Sequence, residues 1–274
     1  MTRRIDHLVL AVHDLAAAAH FYEQLGFLVG ARNRHPWGTE NHIIQFRSSF
    51  LELIGVADDD LIPPHAPGRF SFGAFVRDYL ARREGLAMLV LDGQDADADA
   101  AAFAAAGIGD FEPFTFERSG TAADGTPTRV AFSLAFARDE RLPQAGFFTC
   151  RQHYPEAFWN PALQQHPNGA QNVTAVTLST PHPDRFDRFF TNFTGVTPSE
   201  GTATFPLDRS GEIRMSAAGP AGLLSSYAVS GVDPHDLVDR ARAQGLPVAS
   251  DDDGALIEAA DAYGVAIRFA SATR

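Results

Sequence analysis

Apolar and polar positions fall into one phrase that the chain repeats. In "IDHLVLAVHDLAAAAHFYEQLGF", Ile5 to Phe27, a short apolar run meets a turn and then switches to helical spacing. Asp14 is placed to accept the free amides of a first helical turn. Ala18, Phe21, Tyr22 and Leu25 share one face, and Gly26 ends the helix where a left-handed residue is needed. "NHIIQF" and "FLELIGV" then read as two strands. The phrase returns as "LAMLVLDGQDADADAAAFAAAGI" with strands "TRVAFSLAF" and "GFFTC". It returns again as "NVTAVTLSTPHPDRFDRFFTNFTGV" with "TATFPL" and "EIRMSA". The last copy is "SSYAVSGVDPHDLVDRARAQGL", where Asp233-Pro234 is an N-cap with proline at the first helical position, followed by "ALIEAA" and "GVAIRFA". The repeats predict an α/β (α+β) chain of four βαβββ units.

One such unit is a curled sheet with a helix on one face, and it cannot bury both faces alone. Pairing two units gives a cup with helices outside and a cavity inside, into which every second strand residue points. The expected division is residues 1–150 for the first pair, a connector at 151–170, and 171–274 for a second, shorter pair. "GVADDDLIPPHAPGRF" reads as a Pro- and Asp-rich linker between the first two units. The connector's "HYPEAFWNP" is rich in aromatic residues, which either cover the first cup or fasten the halves together.

Composition narrows the partners. A net charge of −12 without a basic run disfavours nucleic acid, which needs a cationic surface to displace counterions. The single cysteine, Cys150, forms no internal disulfide, so the chain needs no oxidising compartment. "MTRRIDHLVLAV" is too short and too polar for a signal peptide or a membrane span. A cytoplasmic protein without membrane partners is expected. The Asp runs at 58–60 and 251–253 read as solvated loops, because the spaced acids of a calcium loop are missing.

Asp6-His7-Leu8, the His35-Pro-Trp-Gly-Thr-Glu-Asn41 element and Leu51-Glu52-Leu53 carry a resemblance. Paired modules with these motifs resemble the vicinal oxygen chelate superfamily, which holds glyoxalases, extradiol dioxygenases and bleomycin-resistance proteins. Within it the chain resembles the glyoxalase-like domain family. The likeness covers residues 1 to about 150, and "HPNGA" at His166–Ala170 resembles a connector of longer members.

The resemblance implies one divalent ion (Mn, Fe, Ni or Zn) inside the cup, held by His and Glu on the first and last strands of two paired modules. His7 and Glu52 occupy those positions in the first module. The second offers Ala87 or Met88 and Thr149, while Arg214 and Arg268 stand near the Glu position in the second pair. Two ligands fall short of the three protein ligands that a catalytic ion normally has, so no ion at all is the alternative. Among the loop histidines, His35 is the candidate third ligand. Without metal, His7 and Glu52 are a polar pair lining a ligand cavity, with Glu52 available as a base.

In "RHPWGTEN", Trp37 offers an apolar wall, and His35, Thr39 and Asn41 offer substrate contacts at the cup's mouth; the alternative is a turn bonded to its own backbone. His166 and Asn168 repeat the theme as substrate contacts or as a simple Asn-Gly turn. The expected function is a glyoxalase-like enzyme with Glu52 and His7 catalytic, performing lyase, isomerase or ring-cleaving chemistry on a small organic molecule. The alternative is a metal-free protein that binds or sequesters such a molecule. A homodimer is left open.

Overall fold

The computed structural model describes residues 2–121, 127–251 and 254–271. Asp252 and Asp253 of the second Asp run therefore lie outside the described residues. In the first run, Asp58 caps a single 3-10 turn, Asp59–Leu61, at the surface.

The first unit is β1 (Ile5–Ala11), α1 (Leu15–Gln24), a two-residue β2 (Asn33–Arg34), β3 (Thr39–Gln45) and β4 (Phe50–Val56). Helix α2 (Phe72–Leu80) lies between units. The second unit is β5 (Gly85–Asp92), α3 (Ala96–Ala106), β6 (Phe114–Thr121), β7 (Pro127–Ala137) and β8 (Gly146–Gln152). After the short helix α4 (Pro155–Phe158), the third unit is β9 (Asn172–Ser179), α5 (Asp187–Thr194), β10 (Thr204–Pro206) and β11 (Glu212–Ser216). The fourth is β12 (Leu223–Ser230), α6 (Pro234–Ala243), β13 (Ala249–Asp251), β14 (Gly254–Ile257) and β15 (Ala266–Ala270). The third unit thus carries two strands after its helix rather than three.

The helix ends follow the local chemistry. Asp14 accepts from the Ala17 amide at 2.9 Å, and Asp95 and Asp233 each accept from two amides of their first turns. Gly107 and Gly195 close α3 and α5 with φ of 68° and 79°, a conformation that a Cβ disfavours.

Within each pair of units the first strands meet antiparallel, β1 with β5 and β9 with β12, and each runs parallel to the last strand of its own unit. A single bridge, Leu224 to Leu86, joins the halves into one continuous sheet. Strand alternation sorts the apolar residues into two cores. Leu8, Leu10, Leu51 and Leu53 point to the helix side, where they join Val176, Leu178 and the α5 phenylalanines in a core shared by both halves. Val9, Ile54, Val90 and Phe148 point into the N-terminal cup. Helix α2 packs Val76, Tyr79 and Leu80 into that cup and plugs part of it. The linker reading stops at Phe70 and misses this helix, which starts on the Ser71 cap, whose hydroxyl accepts from the Ala74 amide. Among the described residues no helix is long and apolar enough to cross a membrane.

Candidate active site in the N-terminal cup

The part of the cup that α2 leaves open is a cavity of about 50 Å³. That is the volume of roughly one or two waters, at about 30 Å³ each. Its polar groups come from several strands. β1 contributes His7, β3 contributes Asn41, and β4 contributes Glu52, while His35 and Trp37 reach in from the loop before β3. In the β1–β4 register His7 pairs with Phe50, and Val9 pairs with Glu52. His7 and Glu52 therefore stand two residue steps apart along adjacent strands, on the same face. Arg118 of β6 and Cys150 of β8 add the other polar groups, Ile43 and Leu134 are aliphatic, and the rest of the wall is aromatic. Phe50 comes from β4, Phe72 from α2, Phe114 and Phe116 from β6, Phe132 from β7, Phe148 from β8 and Phe158 from the connector.

Each polar group is held from behind. His7 is buried and stacks on Phe50 with ring centroids 4.2 Å apart. Its Nδ1 lies 2.8 Å from Asp6 Oδ2. A carboxylate only accepts, so Nδ1 carries the proton and Nε2 is left as the basic nitrogen. Nε2 has no hydrogen-bond partner among the described residues. Asp6 is fully buried and also accepts from Gln152 Nε2 at 2.9 Å and from Arg4 Nη2 at 3.3 Å.

Glu52 is oriented by a second chain of bonds. Asn33 Nδ2 donates to Asn41 Oδ1 at 3.2 Å. Asn41 Nδ2 then donates to Glu52 Oε1 and toward His35 Nε2 at 3.3 Å. His35 Nδ1 in turn donates to Thr39 Oγ1 at 2.8 Å. Burial lowers the His35 pKa first, Glu52 opposes this, and Arg118 adds to the lowering, so His35 is a neutral ring. Gly38, at φ 83°, lets the loop turn so that Trp37 stacks on His35 with centroids 4.7 Å apart.

Five expected residues, His7, His35, Trp37, Asn41 and Glu52, thus meet around one cavity. Thr39 is buried behind His35 rather than at the cavity surface. His166 and Asn168 are placed elsewhere. His166 accepts from the Leu28 amide and donates to the Gln45 carbonyl, bracing the loop after α1 against β3. Asn168 donates to the Leu25 carbonyl and accepts from the Ala170 amide. Both side chains spend their polar atoms on backbone, so neither lines the cavity.

Arg118 and the phenylalanines were not singled out from the sequence. The signal was present: in "FTFER" the period of two places Phe114, Phe116 and Arg118 on one face. The connector's aromatic segment also takes part, since Phe158 lines the cavity and Trp159 packs against Phe50 at 5.9 Å.

The donor set does not fit a tightly held metal ion. In the β5–β8 register Met88 pairs with Gly146, and Val90 with Phe148. Met88 and Phe148 thereby stand where the first unit has His7 and Glu52. The expected Thr149 lies one residue off, on the opposite face, and donates to Asp99 at 2.7 Å. His35 has both ring nitrogens engaged, so it offers no lone pair as third ligand. Among the described residues, one trio of ligand-type side chains lies within 4.8 Å: Asp6, His7 and Cys150. Asp6 is already bonded to His7, Gln152 and Arg4. Burial pushes the Cys150 thiol well up, with Asp6 and Glu52 adding to it, which keeps the sulfur protonated.

The glyoxalase-like domain family model matches residues 5–194. No curated protein matches the sequence. Among solved structures, a hypothetical protein from Staphylococcus aureus is similar at 12% identity, with 98% of this chain and 99% of that one covered and a TM-score of 0.68. The 2,3-dioxygenase LapB from Pseudomonas sp. KL28 has 12% identity, coverage of 99% and 92%, and a TM-score of 0.58. The Mn(II)-bound glyoxalase from Novosphingobium aromaticivorans has 12% identity, coverage of 99% and 83%, and a TM-score of 0.56. These likenesses establish the fold and leave the chemistry to the residues of the site. With the family match spanning most of the chain, the protein belongs to the glyoxalase-like domain family and has the vicinal oxygen chelate fold.

Proposed function

We propose that the N-terminal cup is the active site of an enzyme that moves a proton on a small organic molecule, an isomerase- or lyase-type reaction. One observation carries this reading. Two groups able to exchange protons, Glu52 and His7 Nε2, face the same apolar cavity, and each is oriented from behind by a buried polar partner, Asn41 or Asp6. In this reading Glu52 takes a proton from the bound molecule. Glu52, now carrying that proton, returns it at the neighbouring atom, while the unprotonated His7 Nε2 accepts a hydrogen bond from a hydroxyl of the same molecule and draws negative charge onto its oxygen. The aromatic wall excludes water, which strengthens both interactions. No step is routed through a metal, because half of the family's ligand positions are Met88 and Phe148.

A second reading, a metal-free binding protein in the same cup, is favoured by those same apolar replacements. The test is mass-spectrometric detection of turnover with a panel of small ring-containing carbonyl and hydroxy compounds, together with binding of each. A compound consumed by the wild type should lose roughly 10²-fold or more in rate in Glu52→Gln, with its binding retained. If every compound that binds is released unchanged, the enzyme reading is wrong and the binding reading stands. A stoichiometric ion in the purified protein, lost in His7→Ala, would overturn the metal-free assignment.

A further inference from the structure

We propose that Arg118 is the anchoring residue of this cup, and that the molecule it takes is a one-ring aromatic or conjugated compound carrying a carboxylate. This deepens the reading of the cup as the ligand site and rests on it.

The charge balance of the cavity makes the case. Arg118 is the one permanently cationic side chain in the lining. Its Nε is buried and makes no hydrogen bond, and no ion pair reaches it within 4 Å among the described residues. Glu52 is the nearby anion, but its Oε1 is taken by Asn41 rather than by Arg118. His35, with its nitrogens on Thr39 and Asn41, does not compete as a cation. A buried donor without a partner costs about 1–3 kcal/mol, and more when it carries charge. That cost is relieved by an anionic oxygen on the bound molecule. The planar guanidinium matches a carboxylate better than a single oxygen, because it can present two parallel N–H groups.

Shape supplies the rest. Phe114 and Phe116 precede Arg118 on the same face of β6 and continue into Phe132 of β7, with centroids of 116 and 132 at 5.2 Å. Trp37 meets both β6 rings edge-on at 5.4 and 5.0 Å. A flat ring fits among such faces through offset and edge contacts. The enclosed volume of about 50 Å³ is well under the roughly 150 Å³ of a cavity that holds one benzene ring, so even a single ring enters only with part of the aromatic wall displaced, and a fused system fits less still.

The experiment compares carboxylates with neutral primary amides of the same shape: benzoate with benzamide, and trans-cinnamate with cinnamamide. Affinity is measured by calorimetry on the full chain at pH 7.5. Tryptophan emission places the binding, because the chain's two tryptophans, Trp37 and Trp159, both sit at this cup. The expected result is a preference of about 10- to 100-fold for the acid. Arg118→Met should abolish the preference by weakening the acid far more than the amide, and Arg118→Lys should keep part of it. Glu52→Gln should strengthen it, because the anion that opposes a bound carboxylate and offsets Arg118 is removed. Equal binding of acid and amide by the wild type overturns the Arg118 assignment alone. So does a preference that survives Arg118→Met. If neither acid nor amide binds, the proposal fails together with the cup as the site of such ligands.

Discussion

Replacing His166 by leucine distinguishes a structural brace from a ligand contact. The imidazole is buried, with Nδ1 3.0 Å from the Leu28 amide and Nε2 2.9 Å from the Gln45 carbonyl. It also packs edge-on against Phe27 and Phe46 at 5.5 and 5.3 Å. Leucine fills much of the space but leaves the two backbone groups without this partner. At about 1–3 kcal/mol for each of the two orphaned groups, the loss should total about 2–6 kcal/mol at pH 7.5. Urea unfolding should show a lower midpoint with an unchanged slope. The pH dependence adds an independent check. Burial lowers the His166 pKa, with the bond to the Gln45 carbonyl opposing it. The unfolded chain therefore takes up a proton near pH 6.5, while the folded protein resists it until lower pH. The stability from the neutral ring is fully present above about pH 6.5 and is lost as pH falls below it, by at most about 1.4 kcal/mol per pH unit. His35 shifts in the same direction, so His166→Leu should flatten this acid slope without abolishing it. Stability within about 0.5 kcal/mol of wild type, combined with loss of ligand binding, would refute the brace and restore His166 as a ligand contact.

Two further perturbations probe the frame around the cup. Tyr22 of α1 and Tyr227 of β12 are buried and share a 2.7 Å hydrogen bond between the halves. Tyr22→Phe should cost about 1–3 kcal/mol, and adding Tyr227→Phe should cost clearly less than its effect alone. Strict additivity in the double-mutant cycle would show that the two hydroxyls are not coupled. Gly38→Ala places a Cβ at φ 83° against the Asp58 carbonyl and 2.7 Å from Ile62 Cγ1. We expect a loss of about 1–3 kcal/mol and a shifted Trp37 emission. A variant with unchanged stability and spectrum would mean that the loop does not depend on this turn.

What was legible in the sequence was local. Asp14, Asp95 and Asp233 cap helices because a short acidic side chain reaches amides two or three residues ahead. The period of two puts His7 with Val9 and Glu52 with Ile54 on one sheet face, so both polar groups were expected in the cup, where they are found. The same period makes a one-residue error decisive. Thr149 was the expected counterpart of Glu52, but the β5–β8 register gives Phe148, and the threonine lies on the other face.

The sequence by itself determined the repeating units, their helix ends and the face of each strand, because these depend on residues within a few positions of one another. The tertiary structure decided which distant segments close the cup. It placed α2 as a plug, brought Arg118 of β6 beside Glu52, and set Phe158 of the connector against Phe50. It also turned His166 away from the cavity to backbone more than a hundred residues distant. Such contacts depend on how the sheets curl and pack, and no local pattern of apolar and polar residues encodes that.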